Sequence, residues 1–291
     1  MKLSLCTISF RHHLISLKQV VEWAAQRGFS GIELWGPHAM NLRDRPGYDL
    51  NWLQSHGLSV PMLSDYLPVQ GERQHMIEKS VNLCRLAQSW GAGKIRTFAG
   101  NKGSHEVSAE ERQDWTRRMR ELCNIANDHG VKLVVETHPH TLADSKESTL
   151  RIIEEINHPS LRLNFDVLHV WESGADPCEV LGEFEPLVAH MHFKNVRSRS
   201  FLDEFLPGNV YAPAGSRAGM VSLFEGAFDY RKFLAFVMNE TSLWPTLEAS
   251  LEWFGPNVLT TLEQDAQQLA LLEGEALGLQ RLQETTASSA R

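Results

Sequence analysis

Short apolar runs of strand length alternate with longer amphipathic stretches from one end of this chain to the other. The runs cover Leu3 to Phe10, Gly31 to Leu34, Leu58 to Leu63, Lys94 to Phe98, Val131 to Glu136, Leu161 to Asp166, Val188 to Lys194 and Thr246 to Trp253. Near-continuous apolar runs bounded by turn signals read as buried strands, and eight of them are the number that closes a parallel barrel. The stretches between them, such as Leu17 to Arg27, Glu72 to Trp90, Ala109 to His129 and Ser148 to Ile156, carry helical periodicity. Gly28, Gly57, Gly91 and Gly130 stand where such helices should stop. The grammar of helix, glycine and apolar run predicts an α/β fold, a single (β/α)8 TIM barrel, over residues 1–282.

Two stretches break the rhythm. The connection from Val196 to Phe228 is long and rich in Gly, Pro, Ser and Arg, which marks it as functional or disordered. The segment from Val258 to Leu282 reads as a closing helix, and residues 283–291 as a flexible C-terminal tail.

In the second half of the chain, four runs end on hard metal ligands: Glu136, Asp166, His192 and Glu252. Parallel strands bring their ends to one rim, so four ligand-type residues there converge although they are far apart in sequence. Carboxylates gathered without a cation would repel one another and raise their own pKa values. The set predicts one divalent ion, Mn²⁺ or Mg²⁺ first, with Co²⁺ or Zn²⁺ not excluded.

Groups suited to an oxygen-rich, anionic small molecule stand nearby. His138 follows Glu136 by two residues, His169 follows Asp166 by three, and Lys194 follows His192 by two. Imidazoles suit proton transfer near neutral pH, and a lysine suits an oxyanion. Arg96 is embedded in the apolar run Ile95-Arg96-Thr97-Phe98, where it needs either a substrate carboxylate or an internal ion pair. Arg217, in a glycine-flanked part of the long connection, could close over a substrate. Trp35, Trp171 and Trp253 follow strand ends and could wall a pocket or pack beneath the rim.

Composition removes several classes of function. A net charge of −8 and a pI near 5.9 disfavour nucleic acid and anionic membranes as partners. No apolar run reaches the roughly 20 residues that span a bilayer, and the first residues lack a signal-peptide pattern, so the expected location is cytoplasmic. Cys6, Cys84, Cys123 and Cys178 have no C-x-x-C spacing and are expected to be reduced, buried thiols. Phosphate-loop, dinucleotide and serine-nucleophile motifs are absent. Self-association into a homo-oligomer is compatible with this composition.

Gly31-Ile32-Glu33-Leu34-Trp35, Glu136-Thr137-His138-Pro139, Asn164-Phe165-Asp166 and His190-Met191-His192-Phe193-Lys194-Asn195 resemble the xylose-isomerase-like barrel superfamily of sugar isomerases and epimerases. So do Glu225 to Tyr230 and Ser250-Leu251-Glu252-Trp253. A narrower likeness, to bacterial 3-dehydroshikimate dehydratases of catechol siderophore pathways such as petrobactin synthesis, lies in Ser4 to His12, Lys94 to Gly100 and Leu168 to Pro177. It extends from residue 1 to about residue 270. This resemblance implies that Glu136, Asp166, His192 and Glu252 hold the metal, that Arg96, His138, His169 and Lys194 contact substrate, and that Tyr66 and Tyr211 line the pocket. It also implies metal-dependent dehydration of 3-dehydroshikimate to 3,4-dihydroxybenzoate (protocatechuate) through an enediolate. The alternative is a keto-sugar or hydroxy-acid isomerase or epimerase on the same metal-binding barrel. An endonuclease IV-like repair enzyme would want more metal ligands and a basic groove, and a non-catalytic binding barrel would need no base.

Overall fold

Eight parallel strands close into a barrel in the computed structural model, which describes residues 1–289, with side chains through residue 275. In chain order the strands are β1 (Lys2–Cys6), β2 (Gly31–Trp35), β3 (Leu63–Ser64), β4 (Lys94–Thr97), β5 (Lys132–Glu136), β6 (Leu161–Asp166) and β7 (Val188–Phe193). A two-stranded antiparallel ribbon, β8 (Asn195–Val196) and β9 (Met220–Val221), comes next, and β10 (Glu248–Leu251) is last. Around the barrel the order is β1, β10, β7, β6, β5, β4, β3, β2.

The outer layer follows from the amphipathic stretches. Leu17–Gln26 and Ala109–Asp128 both begin in capping boxes, built by Ser16 with Gln19 and by Ser108 with Glu111. The latter helix buries Trp115, Met119, Leu122 and Cys123 along one face. Gly91 and Gly130 end the helices before β4 and β5 with φ of 70° and 68°, the left-handed turn the sequence called for. Cys6, Cys84 and Cys123 are buried free thiols, and Cys178 is partly exposed and also free.

Three expected elements differ from those observed. The first run is a strand only as far as Cys6, because Thr7–Phe10 turns inward as a 3₁₀ helix. In that turn, Thr7 Oγ1 accepts from Trp35 N at 2.9 Å and Ser9 Oγ accepts from Trp253 N at 3.0 Å, so its side chains tie down the ends of neighbouring strands. The third run narrows to Leu63–Ser64 plus an isolated bridge between Gly31 and Ser59, and Pro61 between them has no N–H to give a ladder. The last helix begins at Val258 as expected and runs to Ser289, past its expected end at Leu282 and into the expected tail. Residues 290–291 of that tail lie outside the described residues.

The long connection is ordered around the ribbon at its base. Above β8 and β9 it forms a 3₁₀ stretch, Arg199–Phe205, and a short helix, Pro207–Val210, and carries both across the rim. No helix among the described residues is long and apolar enough to cross a membrane.

Candidate active site

Strand register gathers the four ligand-type residues. Asp166, at the end of β6, is the direct partner of His192 on β7, and His192 pairs in turn with Ser250 on β10. Glu136 closes β5, while Glu252 follows β10 and donates its backbone N–H to Phe193 O at 3.1 Å. All four side chains are buried. His192 Nδ1 faces Glu136 Oε1 at 3.5 Å, Glu252 Oε1 at 3.6 Å and Asp166 Oδ2 at 3.9 Å, yet makes no hydrogen bond.

Two cations share this space. Lys194 donates to Asp166 Oδ2 at 2.6 Å and to Glu252 Oε2 at 2.8 Å, and Arg96 Nε lies 3.0 Å from Glu136 Oε2. Burial alone would raise the Glu136 and Glu252 carboxyls. Arg96 and His192 hold Glu136 well down, and Lys194 and His192 hold Glu252 down. Burial disfavours charge on Lys194 and Arg96 too, but the carboxylates outweigh it, Asp166 and Glu252 for the lysine and Glu136 for the arginine, and push both well upward. Three buried carboxylates thus face two fixed cations. His192 responds in the same sense, since burial opposes its charge and Glu33, Glu252 and Glu136 push its pKa well upward. An unpartnered buried nitrogen ringed by carboxylate oxygens is a donor set that fits a divalent cation.

Beside the ligands lie the two imidazoles, with ring centroids 4.3 Å apart. His138 Nδ1 is 2.7 Å from Pro139 O. A carbonyl can only accept, so that nitrogen carries the proton and Nε2 keeps its lone pair. Burial, then His169, lowers the His138 pKa well below the usual imidazole range, so this ring is neutral at physiological pH. His169 is held by Glu172 Oε2, 2.7 Å from its Nδ1, and its backbone N–H donates to Asp166, which caps the short helix Val167–Glu172.

The mouth of the barrel opens above this cluster. Arg96, Glu136, His138, His169, Lys194 and Glu252 supply its polar side, and Tyr66, Phe98, Phe205, Tyr211 and Phe254 its aromatic walls. Tyr66 and Tyr211 meet through their hydroxyls, and the Arg96 guanidinium lies 5.0 Å from the Tyr66 ring centre. Of its two expected alternatives, Arg96 takes the internal ion pair with Glu136, and its Nη1 finds no acceptor. Trp35 stacks behind Tyr211 at 6.1 Å rather than on the mouth, and Trp253 turns its Nε1–H onto Pro256 O at 2.7 Å. Arg217 is not brought to the mouth. Its guanidinium is spent on the backbone carbonyls of Asn209, Val210, Ala212 and Ser216.

Residues 21–273 match the xylose isomerase-like TIM barrel family. The chain belongs to this family. It is 44% identical over 275 residues to the 3-dehydroshikimate dehydratase of Bacillus anthracis, covering 92% of this chain and 96% of that enzyme. The crystal structure of the probable 3-dehydroshikimate dehydratase AsbF, involved in petrobactin synthesis in Bacillus anthracis, superposes with a TM-score of 0.88 at 44% identity, covering 93% of this chain and 99% of that one. The IolI protein, solved with a bound zinc atom, shares the fold at 20% identity and a TM-score of 0.73, over 95% of this chain and 98% of that one.

Within this xylose isomerase-like barrel, sequence reasoning passed over Glu33 and His190. Glu33 is fully buried in β2 and meets the far side of His192. The available signal was the one that singled out Arg96, a charged residue inside an apolar strand. His190 lies two residues before His192 and so on the same face of β7, where its Nε2 meets Ser250 Oγ at 2.8 Å.

Proposed function

We propose that this chain is a hydro-lyase that dehydrates 3-dehydroshikimate to 3,4-dihydroxybenzoate. The observation that carries this reading is one mouth in which a cluster fit for a divalent ion sits against two adjacent imidazoles and an arginine with an unused donor. The 44% identity to the Bacillus anthracis dehydratase, over nearly the whole of both chains, supports it. The product is a catechol carboxylate, an iron-chelating unit in keeping with the petrobactin synthesis in which AsbF is involved.

Glu136, Asp166, His192 and Glu252 would hold one divalent ion, Mn²⁺ or Mg²⁺ by donor hardness with Co²⁺ or Zn²⁺ as softer alternatives, and the bound ion supplies Lewis acidity toward substrate oxygens. Arg96 anchors the substrate carboxylate through its unpartnered Nη1. His138 takes the proton from C4 at Nε2, the nitrogen its bond to Pro139 leaves free. The electron pair moves into an enediolate across C3 and C4, whose charge the Lys194 ammonium stabilises. Collapse of that enediolate forms the C4–C5 double bond and breaks the C5–O bond, and His169 protonates the departing hydroxyl as water. Loss of a proton from C6 with protonation of the C3 oxygen completes the aromatic ring. Tyr66 and Tyr211 cover the ring face and limit water, and the balance is one water lost per substrate.

Ultraviolet detection of catechol formation from 3-dehydroshikimate tests the reading directly. The protein is expected to turn over, to stop after chelation and to recover with Mn²⁺ or Mg²⁺. His138→Ala should lower kcat by about 10²–10⁴-fold with metal content unchanged. Isomerised or epimerised ketose without catechol would replace this reading with the isomerase alternative, and full activity in the alanine variant would remove His138 from the base role.

A further inference from the structure

Behind His192 lies a buried carboxylate that does not line the mouth. Glu33, at 0% exposure, projects from β2 across the barrel interior to β7. Its Oε2 is 3.0 Å and its Oε1 3.2 Å from His192 Nε2, and Oε2 is 3.4 Å from His190 Nε2. Ser64 Oγ donates to Oε1, and Cys6 Sγ approaches the same oxygen at 3.5 Å. With an ion at Nδ1 the ring keeps a single proton, and because an ionised carboxylate only accepts, Glu33 holds that proton at Nε2. The other ring nitrogen, Nδ1, is thereby turned toward Glu136, Glu252 and Asp166.

We infer that Glu33 is a positioning residue for the divalent ion: its carboxylate fixes the rotation and tautomer of His192, so that the Nδ1 lone pair joins the three carboxylates. The inference rests on the metal reading of the mouth given above. A metal-ligating imidazole needs its second nitrogen occupied, because a ring free to rotate or to exchange tautomers presents an N–H to the ion instead of a lone pair. Here the support comes from the opposite side of the barrel, from a strand that contributes none of the four ligands. His190 and Ser64 hold the carboxylate in turn, His190 through a ring already engaged with Ser250.

Glu33→Gln keeps size and shape but offers an amide N–H₂ that can donate to His192 Nε2, which moves the ring proton to Nδ1, facing the carboxylates. Mn²⁺ affinity of the full-length wild type and of this variant, read by competition with a chelating dye, is expected to differ by about 10–100-fold. Equal affinity within twofold would overturn the inference while leaving the metal site standing. A wild type that binds no divalent ion would overturn the metal reading, and the inference with it. A second measurement needs no substitution at Glu33. In protein with ¹⁵N-labelled histidine loaded with Mg²⁺ or Zn²⁺, the His192 ring, assigned by its absence in His192→Gln, should show a protonated Nε2 and an unprotonated Nδ1. The reverse pattern would overturn the assignment even if the glutamine variant failed to fold.

Discussion

The mouth of the barrel and the layer beneath it use the same materials, carboxylates against imidazole, and leave them in different states of completion. Below, Glu33 is enclosed by His192, His190, Ser64 and Cys6. Burial would raise its carboxyl, but His192 and His190 hold it well down. Above, Arg96 Nη1, Glu136 Oε2 and His192 Nδ1 are buried without hydrogen bonds. A carboxylate with both oxygens engaged is held rigidly, as Glu33 is although His190 Nδ1 beside it has no partner, whereas charged groups left unpaired are costly unless something else completes them. The contrast teaches a division of labour: the lower layer sets geometry, and the upper layer faces whatever binds.

The sharpest way to break that division is Lys194→Met. Lys194 belongs wholly to the upper layer, where it bridges Asp166 and Glu252. If it serves chemistry rather than assembly, kcat/KM for catechol formation should fall about 10²–10³-fold, the size expected for one lost charge-stabilising group. Removing a competing cation from two carboxylates should leave divalent-ion affinity unchanged or tighter. Glu33→Gln should do the reverse, with weakened metal binding as the primary defect. Should Lys194→Met weaken metal binding tenfold, the ammonium would be an organiser of the carboxylates and the two layers would not differ in kind.

Asp265 shows what a buried carboxylate does with neither arrangement. It accepts from Leu223 N at 2.9 Å. Burial, with Glu225 adding to it against that hydrogen bond, pushes its carboxyl up to about 7. An acid whose folded pKa is raised favours folding most when protonated in both states, below about pH 4. That contribution is lost as pH rises and is gone above about pH 7. A rise of this order corresponds to a few kcal/mol, and with Asp265 not fully buried about 2 kcal/mol is expected. Asp265→Asn retains an acceptor for Leu223, so its melting temperature relative to wild type should be higher at pH 8 than at pH 5. An identical difference between variant and wild type at both pH values would show that Asp265 does not titrate in this range.

The barrel was legible because its strands are near-continuous apolar runs and its helices end on glycine, so eight strands in a closed parallel barrel followed from that pattern. The metal-type cluster was legible because each member sits at the end of an apolar run. Glu33 was less so, since it lies mid-run, and only the alternation Ile32-Glu33-Leu34, repeated in Ile95-Arg96-Thr97 and Met191-His192-Phe193, marks inward positions. The mouth's aromatic roof was the least legible part. Tyr211 was named only through the family resemblance and Phe205 not at all, and both reach the mouth from a connection whose path depends on long-range contacts rather than on local periodicity.

Arg217 is where sequence and geometry part most clearly, and it yields the smallest expected effect. A glycine-flanked arginine in a rim connection reads as a group that closes over substrate, yet its Nη2 donates to Asn209 O at 2.9 Å and Val210 O at 3.0 Å. Arg11 Nε reaches the same Val210 carbonyl from β1's side at 2.7 Å. Two guanidinium groups thus fasten the segment that carries Tyr211 against Tyr66, and Arg217 acts on the roof from outside. Arg217→Ala removes one fastening and leaves Arg11, so a loss of about one hydrogen bond's net worth is expected, a rise in KM of about 3–10-fold with kcat within about twofold. That pattern describes a wall that binds ground state and transition state alike. A fall in kcat at unchanged KM would instead show the guanidinium acting in the transition state, which goes beyond the closing role over substrate that the sequence suggested, and the roof would then belong to the upper layer's chemistry.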